Sequence, residues 1–386
     1  MLPRRSWSYS LASTPLDALE YCVRGQRVPD AILDTLAAEA ESETGTRALF
    51  RELIEPLSDS FDPRLAEAYA DTFARLLERV APELKAEALL RRYRALGVPT
   101  ERPKRVVVLS RVTLGADVAV VSPFLAAALT LYPDAEILFA GNAKNYALFE
   151  ERIGHLPLHY GRTSLLRDRV AVGLELAAKL DRPGTLVFDA DSRLSQLGLL
   201  PFGPPERYLH FHSRSFRSDS DEPMAALACA FLRETLHCET KPFIAPPFTG
   251  LVPPTDVTIS LGIGENPAKR VGGDFEFRLV QGLLDQGHSV MLDKGAGGEE
   301  TARVEALEAL CRGALFTWQG AFAPFAEAIR ASRLYIGYDS AGQHVAAACG
   351  VRQITIFAGA PNRKFLRRWQ PWAEPGRAAL VEARSF

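Results

Sequence analysis

Residues 105–141, "RVVVLSRVTLGADVAVVSPFLAAALTLYPDAEILFAG", decide how the chain is read. The opening run "RVVVLS" is apolar without alternation, which marks a strand buried on both faces. The stretch "DVAVVSPFLAAALTLY" that follows repeats apolar residues at helical spacing, and "AEILFAG" is a second buried strand. Strand, helix, strand is the unit of a parallel sheet covered by helices, because parallel neighbours need a crossover connection.

The unit recurs along the chain. "GTLVFDADS" (184–192) is a strand ending in acidic and hydroxyl residues. The Pro-rich run "KPFIAPPFTGLVPPTD" (241–256) then breaks the pattern and marks a domain boundary. Beyond it the alternation restarts: "VTISLGIG", a helix near 274–286, "HSVMLDKG", a helix from Glu299, "GALFTW", a helix near 322–331, "LYIGYD", a short helix and "RQITIFAG". Residues 1–100 read as helices only, with apolar positions three and four apart and Pro or Asp at several starts; "GVPTERPKR" is their linker. The expected architecture is α/β: a helical extension (1–100) and two Rossmann-like, doubly wound domains (105–245 and 256–386) facing a cleft. In such sheets ligands bind at the carboxyl ends of the strands.

Composition narrows the function. With 47% hydrophobic residues and a formal net charge of −2 over 386 residues, the chain reads as globular, and no basic excess points to nucleic acid. The five cysteines show no CxxC pair, which suits reduced thiols and a cytoplasmic location. No run of about 18 uncharged apolar residues is expected to span a membrane, and "MLPRRSWSYS" lacks the apolar core of a signal peptide.

Two strand ends in the second domain carry candidate chemistry. In "YIGYDSAGQHVAAACGV" (335–351), Asp339 ends a strand and Ser340, Gly342, Gln343 and His344 open the next helix, whose free amides and dipole suit a phosphate. Asp339 as a plain helix cap is the bland alternative. In "SLGIGENPAKRVGGDFEF" (260–277), Gly262 and Gly264 permit backbone approach to a ligand, Asn266 follows, and Lys269 and Arg270 supply charge. This is neither a GK[ST] phosphate loop nor GxGxxG, and a solvated Lys-Arg pair is the alternative.

Together, the 105–137 stretch, "LVFDADSRLSQLGLLP" and "YDSAGQHVAAACGVRQITIFAGA" resemble, in order, the opening segment, acceptor-side segment and donor loop of glycosyltransferase family 9, the heptosyltransferases. The resemblance runs from about 105 to 375. It implies a GT-B fold, a nucleotide-diphosphate sugar (ADP-heptose) as donor on the second domain, an acceptor on the first, and inversion with neither metal nor cofactor. Carried over by position, the catalytic base falls on Asp117, six residues before Pro123, and the phosphate-side lysine on Lys269. The donor loop falls on Asp339, Ser340, Gly342 and His344. Departures from the pattern are Ala116 between Gly115 and Asp117, the Ala341-Gly342 pair, and "KGAGGEE", where Gly297 replaces a ribose-holding acid and Glu299 and Glu300 come slightly later.

These residue types fit the chemistry: a carboxylate takes the acceptor hydroxyl proton, and a cation with helix amides stabilises the leaving diphosphate. "DADS" (189–192) is the only near match to a metal-binding carboxylate pair, and reads better as a capped strand end. On the acceptor side, Arg111, Ser192, Arg193 and Arg214, with Arg162, Arg207 and Arg217 nearby, suit an anionic glycan or glycolipid such as a Kdo-bearing lipid core, with contact at the inner membrane face. The alternatives are a non-catalytic nucleotide-sugar-binding or assembly protein and a GT-B-fold epimerase needing no acceptor. Family members end in a helix that returns to the first domain. With little chain left after "RRWQPW", the helices of 1–100, chiefly 63–96, are expected to cover the surface left bare.

Overall fold

The computed structural model describes residues 13–383, apart from Leu96, residues 99–101, Arg162, Thr163, Phe248, residues 264–266 and Ala296. The first domain is built on β1 (Arg105–Leu109), β2 (Glu136–Gly141), β3 (Gly154–Pro157), β4 (Thr185–Asp189) and β5 (Tyr208–His210), all parallel, in the order β3-β2-β1-β4-β5. The second holds β6 (Val257–Ser260), β7 (Val290–Asp293), β8 (Leu315–Trp318), β9 (Leu334–Tyr338), β10 (Arg352–Phe357) and β11 (Ala378–Glu382), also parallel, in the order β11-β10-β9-β6-β7-β8. Among the described residues, no helix or strand lies between Leu236 and Val257, where the Pro-rich run sits. β3, β5 and β11 are unforeseen. β11 is an edge strand with most of its residues exposed, β3 is an edge strand only half buried and β5 is three residues long, so none carries a long buried apolar run.

Alternation along β1 divides the first domain into two cores. Val106 and Val108 face a cluster with the helices Ser122–Leu131 and Met224–Leu236. Val107 and Leu109 face the opposite cluster, which contains Leu53, Tyr69, Phe73, Leu77 and Leu89 of the N-terminal helices. Those helices therefore share a core with the sheet. Tyr69 donates to the Gln196 carbonyl at 3.2 Å, and Arg92 reaches the carbonyls of Gly198, Leu200 and Gly203.

Three expectations change. Segment 63–96 is two helices, Pro63–Val80 and Ala86–Arg94, because Pro82 can neither donate to the helical ladder nor fit inside it. Among the described residues one helix, Leu114–Leu131, is long and apolar enough to cross a membrane; two thirds of it lies in the protein core. The return to the first domain does exist, as the short helix Arg363–Trp369. There Arg368 donates to the carbonyls of Glu222 and Arg217 at 3.0 and 2.8 Å and lies over the Phe61 ring, while Lys364 bonds the Ser218 carbonyl. The N-terminal helices thus cover a different face from the one that helix occupies.

The two domains close on each other. Val118, Val121 and Phe124 of the first share an apolar cluster with Phe325, Ile329, Val345 and Ala346 of the second.

Candidate active site

In-register pairing sets Leu109 of β1 level with Ala140 of β2 and Asp189 of β4, so Ser110, Arg111, Ala190 and Asp191 leave the sheet side by side. Val112, just after β1, and Asp191, just after β4, both adopt left-handed backbone (φ 61° and 67°), uncommon for any residue but glycine and costly for a β-branched one. Such positions gather at functional sites.

Asp117 opens a π-helical turn (Asp117–Val121) in the first stretch of the helix after β1. Pro123, lacking an N–H, follows at once, and widened turns of this kind are common at functional sites. The Asp117 carboxylate is fully buried and accepts from Ser110 Oγ (2.7 Å), the Arg111 amide (2.6 Å) and Asn145 Nδ2 (2.5 Å). Burial raises its pKa to about 6, against the pull of those donors. Asn145 is a residue that sequence reasoning missed. The signal lay in "GNAKNY": Asn142 caps the short helix and holds the Asn145 amide at 2.9 Å.

The acceptor-side residues converge only in part. Arg111 donates to the Ala190 carbonyl (2.7 Å) and to Ser213 Oγ (3.2 Å), and burial lowers its pKa to about 10. Arg214 and Ser213 both bond Asp191. Burial alone would push the Asp191 carboxyl up, but Arg214 and Arg111 outweigh it and hold it well below the usual range. Ser192 is structural: its hydroxyl goes to the Ser110 carbonyl and its amide to Asp189 Oδ1. Arg193 turns towards the N-terminal helices, donating to Ser58 Oγ at 3.3 Å and lying over Phe50. Arg193 Nη1 and Arg214 Nε are buried donors without a hydrogen-bond partner among the described residues. Of the wider set, Arg207 bonds Asp181 and Arg217 pairs with Glu222 and Glu234, away from the centre; Arg162 lies outside the described residues. The "DADS" carboxylates are spent on Ser192, Ser195, Tyr208, Ser213 and Arg214.

On the donor side, Lys269 Nζ meets Asp339 Oδ2 at 2.6 Å, and Gln343 Nε2 donates to Asp339 Oδ1 at 2.7 Å. His344 is buried, and burial lowers its pKa to about 4, so the ring is neutral. A Cβ on Gly342 would overlap the Tyr335 hydroxyl, which explains glycine there. Gly115 is tight for a related reason: its Cβ would stand 3.0 Å from His344 Cδ2 and 3.3 Å from Ala341 Cα. The two loops singled out in different domains thus touch.

Arg270 and Glu299 form ion pairs with each other and with Glu276 and Arg303, with Glu299 turned to solvent. Glu300 occupies the place expected of Glu299: it accepts the Ile263 amide at 3.3 Å and approaches Gly262 and Gly295. Asp293, whose pKa burial raises to about 6, lines a small niche with Gly262, Gly295 and Glu300, of about 10 Å³ and so no larger than a water molecule fills. Lys144 of the first domain is near enough to pull that pKa back down. Gly264 and Asn266 lie outside the described residues. Among the described residues, no group of three or more His, Cys, Asp or Glu side chains could hold a metal ion.

Two doubly wound parallel domains meeting at their strand ends make a GT-B-type architecture, preceded here by a helical region. Residues 274–383 match the model of glycosyltransferase family 9 (heptosyltransferase), so the resemblance to that family is shown over most of the second domain. No curated protein matches the chain by sequence. Among solved structures, the chain is similar to a family 9 glycosyl transferase from Veillonella parvula DSM 2008 (19% identity, covering 74% of this chain and 88% of that one, TM-score 0.53). It is also similar to E. coli heptosyltransferase WaaC with ADP-2-deoxy-2-fluoro heptose (14% identity, 72% and 93% covered, TM-score 0.50). At these identities the likeness is one of fold.

Proposed function

We propose that the chain is an inverting, metal-independent glycosyltransferase that moves a heptose-like sugar from a nucleotide diphosphate, with ADP-heptose as donor, to an anionic surface-glycan or lipopolysaccharide-core acceptor at the cytoplasmic face of the inner membrane. The observation that carries the reading is the meeting of Gly115, two residues before Asp117, with Ala341 and His344 of the donor loop. A base from one domain and a diphosphate site from the other then flank one reacting centre.

In this reading the nucleoside lies against the outer side of the strand ends at Gly262 and Asp293, and the diphosphate at Lys269 and the first amides of the helix Ala341–Ala348. Asp117, as carboxylate, takes the proton of the acceptor hydroxyl while its oxygen bonds the anomeric carbon and the diphosphate leaves with the electron pair. Lys269 and the helix amides stabilise the charge that builds on the leaving oxygen. Arg111 and Arg214 face the acceptor, where Arg214 Nε, without a partner among the described residues, suits an oxyanion.

One observation favours a second, non-catalytic reading: Asp117 is wholly buried and already holds three hydrogen bonds. Incubation with labelled ADP-heptose and a Kdo-bearing acceptor separates the two. Acceptor-dependent label transfer with release of ADP supports the enzyme. ADP-heptose binding without turnover supports the binding protein, and conversion of the donor sugar without acceptor an epimerase.

A further inference from the structure

Trp369 stands where the two halves of the site come together. It closes the helix Arg363–Trp369, which follows the second domain in the chain but is fastened to the first through Arg368 and Lys364. On one side the Arg111 guanidinium lies 5.8 Å from its ring centre. On the other, the His344 ring stands edge-on at 6.2 Å, and Gln343 Nε2 donates to the Trp369 carbonyl at 3.2 Å. Gln343 also holds Asp339, whose other oxygen holds Lys269.

We propose that Trp369 couples occupancy of the donor diphosphate site to the acceptor-side Arg111, through Lys269, Asp339, Gln343 and Trp369 in turn. The inference rests on the donor-site reading given above. A diphosphate arriving at Lys269 competes with Asp339 for the ammonium and repels the carboxylate. Asp339 must then find another donor, and Gln343 is the nearest already in place. A firmer Gln343–Asp339 bond draws the amide from the Trp369 carbonyl and loosens the indole between His344 and Arg111. The cation–π contact, of the kind worth about 0.5–1 kcal/mol at exposed sites and more when desolvated, is then released, and the guanidinium turns to the acceptor. Coupling of this kind is reciprocal: an anion bound at Arg111 favours the donor-ready loop.

ADP serves as the probe, read by tryptophan emission and, separately, by calorimetry, on the full chain and on W369F, W372F and Q343A. The expected result is an ADP-dependent emission change in the parent and in W372F that is lost in W369F. In Q343A, ADP still binds by calorimetry, within about tenfold of the parent, while the emission change falls to less than a fifth. ADP binding in the parent with no emission change assignable to Trp369, or an unchanged response in Q343A, overturns the coupling and leaves the donor site standing. Absence of ADP binding in the parent overturns both. Calorimetry also guards against a merely misfolded variant, since W369F that binds ADP normally but stays silent has kept its fold.

Discussion

The acceptor-side centre and the donor loop contain the same kinds of group, a basic residue against an aspartate, yet they are built for opposite ends. Arg111, Arg214 and Asp191 are almost wholly buried, and Asp191 is held by Arg214 and Ser213 together while Arg111 answers a backbone carbonyl. In the donor loop, Lys269 meets Asp339 with about a fifth of its side chain still exposed, and a single amide, Gln343, supports the carboxylate. A buried, redundantly bonded pair is costly to break because a bare charge stays behind. A partly exposed pair can exchange its partner for a ligand at less cost. The difference marks the donor pair as the one that yields to a ligand at the smaller cost.

The strongest way to break the comparison lies between the two regions. Asp117→Asn should leave ADP binding in place and cut transfer by roughly two to four orders of magnitude, the worth of a general base. Near-parental turnover would remove Asp117 from the chemistry. Next in size, Asp191→Ala should strip the buried Arg214 of its partner and cost about 3–5 kcal/mol of stability in denaturant unfolding. A loss under about 1 kcal/mol would show that the freed Arg214 finds water or another acceptor and that the pair does not hold the fold.

Lys269→Ala is the counterpart on the donor side. It should barely lower the melting temperature but weaken ADP by about 1.5–3 kcal/mol, the range for a hydrogen bond to a charged group. Calorimetric affinity equal to the parent's would reduce the Lys269–Asp339 pair to a structural clasp.

The smallest effect is a shift in pH dependence. Asp117 must be ionised to accept a proton, and its pKa in the fold is raised to about 6. The kcat/KM profile should therefore rise with pH through a limb near 6 and level off above it. Asn145→Ala removes a donor to the carboxylate, so the limb should move up by about one unit or less. A limb that stays put separates Asn145 from the base. The linkage to folding has the opposite sign. A carboxyl with a raised pKa contributes its stability at low pH and loses it as pH rises through about 6, where the ionised form is buried at a cost.

How much of this was legible in the sequence varies with the range of the interaction involved. "RVVVL" and "AEILFAG" declared buried parallel strands, because burial on both faces leaves an unbroken apolar run. β11 left no such mark, being exposed at the sheet edge. The donor loop was visible because its residues are neighbours in the chain. Asn145 was not, since its partner Asp117 lies 28 positions away.

The alternation of the long buried strands with helices and the two polar strand ends follow from the sequence alone, through local periodicity and turn chemistry; the strands β3, β5 and β11 do not. Only the tertiary structure decided the rest. It buried Asp117, turned Glu299 outward and Glu300 inward, brought Gly115 against His344, spread the N-terminal helices over one face of the first sheet, and set Trp369 between Arg111 and His344. Each of these depends on which residues distant in the chain become neighbours in space, and a one-dimensional pattern carries no distance across the fold.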